Sequence, residues 1–168
     1  MEIRCAVQAA VEHEGPMYIR IGAPQVPTLH PADVPFRIGK GITMMQGRDV
    51  TIIATGTALW RAFDAAEMLR RKGIEARLIS MHTLKPIDRD VIAAAARETA
   101  GIVTVEEHYL IGGLGSAVAE VLVSGSPTRL KMIGVDDQFA SNGPYNELLG
   151  LYGLLAEQIA SSVEEFLQ

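Results

Sequence analysis

The stretch "DVTIIATG", Asp49 to Gly56, decides the fold. Its middle is apolar and β-branched without polar alternation. A strand with one wet face alternates, whereas a strand covered on both faces does not. Gly56 closes the run and a helical pattern starts at about Ala58. Leu59, Phe63, Ala66 and Leu69 share one stripe, with Arg61, Asp64 and Arg71 off it, and Gly73 ends the segment. A doubly covered strand feeding an amphipathic helix is the first half of a βαβ unit.

The pattern then repeats. "IEARLIS" reads as a strand and "KPIDRDVIAAAARETA" as a helix, with Asp88 suited to the N-cap and Ile87 placed to staple against Ile92. "GIVTVEE" is a strand, "GLGSAVAEVLV" a helix and "RLKMIGV" a strand. The last helix is expected from about Tyr152 to Phe166, with Leu155, Ile159, Val163 and Phe166 on one stripe. Right-handed crossovers between parallel strands give a three-layer α/β/α sandwich over residues 36–168. Residues 23–35 hold four prolines and read as an extended linker. Residues 1–22 read as a helix, a break at Gly15-Pro16 and a strand from Met17 to Ile21. A lone helix and strand cannot make a sheet by themselves.

Bulk properties exclude whole classes. The 168 residues are 48% hydrophobic and carry a net charge of −5 with both signs mixed, so no basic footprint for nucleic acid or anionic membrane exists. No apolar run reaches the roughly 18–20 residues of a membrane span, and no basic-then-apolar leader opens the chain. A cytoplasmic protein is expected. The single cysteine, Cys5, allows neither an internal disulfide nor a cysteine zinc cage, and reads as a small buried hydrophobe.

Ligands of open parallel sheets sit beyond the carboxyl ends of the strands. Four polar loops fall there: "ATGTA", "SMHTLKPID", "EEHYLIGGLGS" and "VDDQFASNGPYNELLG". Gly113-Leu114-Gly115 lacks the third glycine of a dinucleotide fingerprint and stands about five residues after its strand, which argues against NAD. The turn around Gly112, Gly113 and Gly115 reads as a tight chain reversal, with a phosphate cradle at the helix N-terminus as the alternative. Neighbours on a strand face opposite ways, so only one of Glu106 and Glu107 can enter a given pocket. His108 suits proton transfer by type, or a hydrogen bond at a subunit or domain interface. Consecutive Glu106, Glu107 and His108 do not converge on one ion, and the spacing of His82 and Asp137 adds nothing, so no metal site is expected. His13 reads as a structural cation at a helix end, and His30, beside Pro31, as solvated.

Taken together, "DVTIIATG", "SMHTLKPID", "VEEHYLIGGLGSAVAE" and "VDDQFASNGPYNELLGLYGL" resemble, in this order and spacing, the C-terminal domain of transketolase-type thiamine diphosphate enzymes. The resemblance covers essentially the whole chain and is strongest to transketolases split over two polypeptides. Deoxyxylulose-5-phosphate synthase and the beta subunits of 2-oxoacid dehydrogenases are more distant. It implies a mixed five-stranded sheet of order 1-3-2-4-5, strand 1 antiparallel, with "PFRIGKG" as that edge strand. It also implies that residues 1–22 close a preceding pyrimidine-binding domain.

For function, the resemblance implies transfer of a two-carbon ketol unit between sugar or sugar-phosphate substrates by a complete enzyme holding thiamine diphosphate and Mg²⁺. Because such enzymes carry the activating glutamate and the diphosphate site elsewhere, no catalytic residue and no bound cofactor are expected in this chain alone. An N-terminal transketolase section and a homodimer through the C-terminal domain are the implied partners. Arg20 matches the first arginine of a phosphate-binding R-x-x-R pattern, whose second position is Ala23 here. His82 takes the place of an arginine that reaches the substrate phosphate in the synthase. A guanidinium binds phosphate in a bidentate manner and alanine cannot. The competing readings are a 2-oxoacid dehydrogenase beta subunit, and a non-catalytic assembly module holding an anion or allosteric ligand at Glu107, His108 and the glycine turn.

Overall fold

The computed structural model of the protein describes residues 1–22, 25–31 and 34–168. Five strands form one sheet: β1 (Ile42–Met45), β2 (Val50–Ala54), β3 (Ala76–Ser80), β4 (Ile102–Tyr109) and β5 (Leu130–Val135). Their order is β1-β3-β2-β4-β5, with β1 antiparallel to β3 and all other pairs parallel. This is the expected mixed sheet. The edge strand itself differs from expectation. Residues 37–40 make a turn, closed by Lys40 N–H donating to the Arg37 carbonyl at 3.0 Å, with Gly39 at φ +79°. A left-handed glycine reverses the chain there, so pairing starts only at Ile42.

Six helices complete the described residues: α1 (Glu2–Glu12), α2 (Ala58–Arg71), α3 (Arg89–Glu98), α4 (Leu114–Val123), α5 (Tyr145–Leu151) and α6 (Ala156–Leu167). Strand parity sorts the core into two layers. Val50, Ile52 and Ala54 of β2 pack with Leu59, Leu69, Ile159 and Val163 of α2 and α6. Ile53 of the same strand joins Ile92 of α3 and Leu114 and Val118 of α4 on the other face. All five residues of β2 are buried, which is why its sequence shows no alternation. α2 reaches the sheet through Ala58, Ala62, Ala65 and Ala66, small residues that permit close approach. Asp88 caps α3 by accepting the Val91 N–H, and Gly73 at φ +83° ends the turn after α2.

Two further expectations need correction. The final helix begins at Ala156, not Tyr152, because Gly153 at φ +72° breaks the chain between α5 and α6, and α5 itself was not foreseen. Met17 to Ile21 pairs with no strand, and Tyr18 is 87% exposed, since the described residues offer it no sheet edge.

Candidate functional site

The carboxyl ends of β2, β3, β4 and β5 bring the four polar loops to one edge, and two constellations form there. The first surrounds the exit of β4. Glu106 continues the face of Thr104, opposite Val103 and Val105, and that face carries α4. The N-terminus of α4 has Gly113 as its N-cap and no capping side chain. Glu106 supplies the missing acceptor: its carboxylate takes the Leu114 N–H at 2.7 Å and the Gly115 N–H at 2.8 Å. An internal anion therefore occupies the place where a phosphate cradle would need free amides. Burial raises the Glu106 carboxyl above the usual carboxylate range, against the pull of the Gly115 and Leu114 amides and of His108 and Arg20.

The glycines serve this arrangement. A Cβ on Gly113 would collide with Glu106 Oε2 and with the Tyr109 carbonyl. One on Gly115 would strike Met132 and come within 3.0 Å of Thr104 Oγ1. Gly112 needs no room, but its φ of +76° lies in the left-handed region.

Glu107, as strand parity requires, faces away from Glu106. Its carboxylate accepts the Tyr145 hydroxyl at 2.6 Å, and its carbonyl accepts the Arg20 guanidinium at 3.2 Å. Burial first, then the Glu107 bond and charge, raise the Tyr145 phenol far above its ordinary value. His108 is exposed and bonds only its neighbour, with Nδ1 2.9 Å from the Tyr109 carbonyl. Around it stand exposed Tyr109, Ile111 and Phe139, the last 100% exposed.

The second constellation is a cleft of about 400 Å³ between α1, residues 19–22, the segment 26–30 and the loops after β2 and β3. Arg20 and His82 both line it, so the structure brings these two expected residues together. His82 stacks on Phe36 with ring centroids 4.1 Å apart, places Nδ1 2.8 Å from Thr83 Oγ1 and buries Nε2 without a partner. Burial lowers its pKa, with Glu2 pulling the other way and His30 adding to the depression. The second position of the R-x-x-R pattern, Ala23, lies outside the described residues.

His30 overturns its expectation. It is 8% exposed, not solvated, and its Nε2 lies 2.8 Å from Glu2 Oε1. The same Glu2 oxygen accepts the Ser80 hydroxyl at 2.5 Å. A histidine beside proline gave no sign of this, because its burial depends on a helix that arrives from the far end of the chain. Trp60 also lines the cleft with a buried, unpartnered Nε1. Cys5 is half-buried rather than buried. His82 and Asp137 do not join a metal cluster: among the described residues no group of three or more His, Cys, Asp or Glu could hold an ion. No helix among them is long and apolar enough to cross a membrane.

Comparison with known proteins now adds to this geometry. Residues 39–159 match the family "Transketolase, C-terminal domain". One of the two subunits of the apulose-4-phosphate transketolase of Phocaeicola vulgatus is 40% identical over 168 residues, covering 99% of this chain and 54% of that protein. A 1-deoxy-D-xylulose-5-phosphate synthase of Heliobacterium modesticaldum is 38% identical over 167 residues, 98% of this chain and 26% of its own length. Among solved structures, a split gene transketolase described as an inactive beta4 tetramer superposes with a TM-score of 0.93 at 44% identity, over 98% of this chain and 54% of that one. The chain thus spans about half the length of the split-transketolase relatives it matches.

Proposed function

The chain belongs to the transketolase C-terminal domain family, and from that footing we propose that it is the C-terminal portion of an enzyme moving a two-carbon ketol unit from a ketose to an aldose. The observation that carries this reading is the near full-length likeness to a transketolase subunit, 40% identical over 99% of this chain. Geometry supports it: Arg20 and His82 meet in one cleft at the carboxyl edge of the sheet, where they would hold the far end of a sugar substrate. Residues 1–22 are read as the close of a pyrimidine-binding domain, in keeping with α1, which buries none of its residues.

Thiamine diphosphate supplies the carbanion chemistry in such enzymes. The described residues of this chain do not fit its Mg²⁺–diphosphate group, since they assemble no ligand cluster and Glu106, the most buried carboxylate, is committed to α4. No step is routed through the cofactor here. An N-terminal transketolase section is the proposed partner that holds it. The apolar surface of Tyr109, Ile111 and Phe139 around His108 is proposed as the contact of a homodimer, a role that suits its large exposed side chains. Cytoplasmic residence is part of the same proposal.

The test is reconstitution. This chain, mixed with an N-terminal section, thiamine diphosphate and Mg²⁺, should show ketol transfer that neither component shows alone. A complex that forms and binds the cofactor but transfers no ketol unit from any ketose offered would overturn the reading.

A further inference from the structure

The cleft that holds Arg20 and His82 has a polarity of its own. The charged side chains lining it are Arg20 and Glu2, one of each sign. Arg20 already spends a guanidinium N–H on the Glu107 carbonyl at 3.2 Å. The other polar groups on the wall are imidazole and indole nitrogens. His82 Nε2 and Trp60 Nε1 are buried without partners. His30 Nδ1 has none either, and His30 Nε2 approaches Glu2 at 2.8 Å without the alignment of a hydrogen bond.

We infer that this cleft takes the uncharged, hydroxyl-rich end of a sugar in preference to a phosphate ester. The inference rests on the substrate-tail role proposed above and names the chemistry of that tail. A phosphate dianion entering here would meet one partly engaged guanidinium and the carboxylate of Glu2. In a half-buried cleft, repulsion from that carboxylate cancels much of the attraction, because the low dielectric strengthens both. A sugar hydroxyl both donates and accepts. It can pair with a neutral imidazole in either tautomer, accept from the Trp60 indole N–H and donate to Glu2. Buried polar atoms left unpaired in the empty wall give such a ligand bonds that water does not already make. This departs from the phosphate in the name of the Phocaeicola vulgatus relative.

Trp60 makes the test direct. It is the chain's only tryptophan and it lines the cleft, so its fluorescence reports occupancy without turnover. The full 168-residue chain is titrated at pH 7.5 with ribitol and with ribitol 5-phosphate. Ribitol should change the emission saturably, and ribitol 5-phosphate should bind at least tenfold more weakly. His30→Ala should weaken ribitol at least fivefold. His82→Arg should reverse the order of the two ligands. Should that variant fail to fold, Glu2→Gln, which removes only a charge, should tighten ribitol 5-phosphate several-fold. Tighter binding of the phosphate ester by the wild-type chain, or no saturable change with either ligand, overturns the inference. A phosphate preference alongside ketol transfer in the assembled enzyme would defeat the inference and leave the proposed function standing. A ribitol preference without ketol transfer would do the reverse.

Discussion

Glu106 Oε2 accepts the backbone N–H of Leu114 at 2.7 Å, across eight residues of chain, and so ties the end of β4 to the first turn of α4. Helix N-termini leave N–H groups without internal partners, and here a buried carboxylate from the preceding strand meets two of them. Replacing Glu106 by Ala strands both amides in a dry setting. Each lost charge-assisted bond contributes about 1.5–3 kcal/mol, so Glu106→Ala should lower unfolding free energy by about 3 kcal/mol or more. Glu106→Gln keeps one acceptor and should lose about half as much. Urea denaturation monitored by circular dichroism measures both, and a loss below about 1 kcal/mol for Glu106→Ala would refute the capping role.

The glycine turn should answer to substitution in two distinct ways. Gly112→Ala faces only its left-handed φ of +76° with open space around it, a strain of about 1–2 kcal/mol. Gly113→Ala instead drives a methyl into the Glu106 carboxylate and the Tyr109 carbonyl, and should lose more than Gly112→Ala. In a double-mutant cycle, Glu106→Ala should relieve part of the Gly113→Ala loss, since contacting residues are not additive. Strict additivity would mean that the collision with Glu106 does not matter.

These two positions show what could be read from sequence and what could not. The order of strands and helices was legible because each βαβ unit writes its own periodicity, as β2 and α2 do. The opposite facing of Glu106 and Glu107 followed from strand parity alone. The use of Glu106 did not, although a glycine N-cap without a capping side chain was a signal that some acceptor must come from elsewhere. The turn at Arg37 to Lys40 hid inside a plausible strand, because a glycine in that run reads equally as spacing or reversal. His30 was the least legible: no local pattern announces a histidine buried by contact with Glu2, twenty-eight positions earlier.

His82 makes stability depend on pH. Burial depresses its pKa in the folded state, so the unfolded chain binds the proton first as the solution is acidified. Its contribution is complete above the ordinary histidine value of about 6.5 and is lost as pH falls below that value toward the depressed one. Glu2 and His30 face the ring and act in opposite senses. His82→Phe, which retains an aromatic ring against Phe36, should remove this dependence. Between pH 7.5 and 5.5 the urea midpoint of the wild-type chain should fall further than that of the variant, and parallel profiles would count against the assignment.

Tyr145 joins α5 to the exit of β4 through its hydroxyl, which donates to Glu107 at 2.6 Å. Tyr145→Phe leaves a half-buried carboxylate short of one donor and should lower stability by about 1–2 kcal/mol. The raised phenol pKa keeps the donor protonated. Its contribution is therefore intact below the ordinary tyrosine value and is lost only as pH climbs through the raised one. Thermal unfolding at pH 7 checks the first expectation. The second is read by tyrosinate absorbance, in which the wild-type chain should show one tyrosine titrating later than in Tyr145→Phe; equal curves would contradict it.

Glu2 holds a helix that has little else to hold it. α1 is 11 residues long and buries none of them, below the roughly 12–15 residues at which an isolated helix becomes even marginal. Its polar ties to the sheet domain are the Glu2 contacts with Ser80, at 2.5 Å, and with His30, at 2.8 Å. Opening of α1 is thus a local event with a free energy well below that of the β2–β4 core. Glu2→Ala should speed amide hydrogen exchange across residues 2–12 by about tenfold while leaving exchange in β2 and β4 unchanged. Global unfolding should move by less than about 0.5 kcal/mol, as expected away from the core. The cleft behind Glu2 would loosen at the same time, so Trp60 emission should shift to the red. A variant that destabilises the core strands along with α1 would show that this helix is built into the domain rather than pinned onto it.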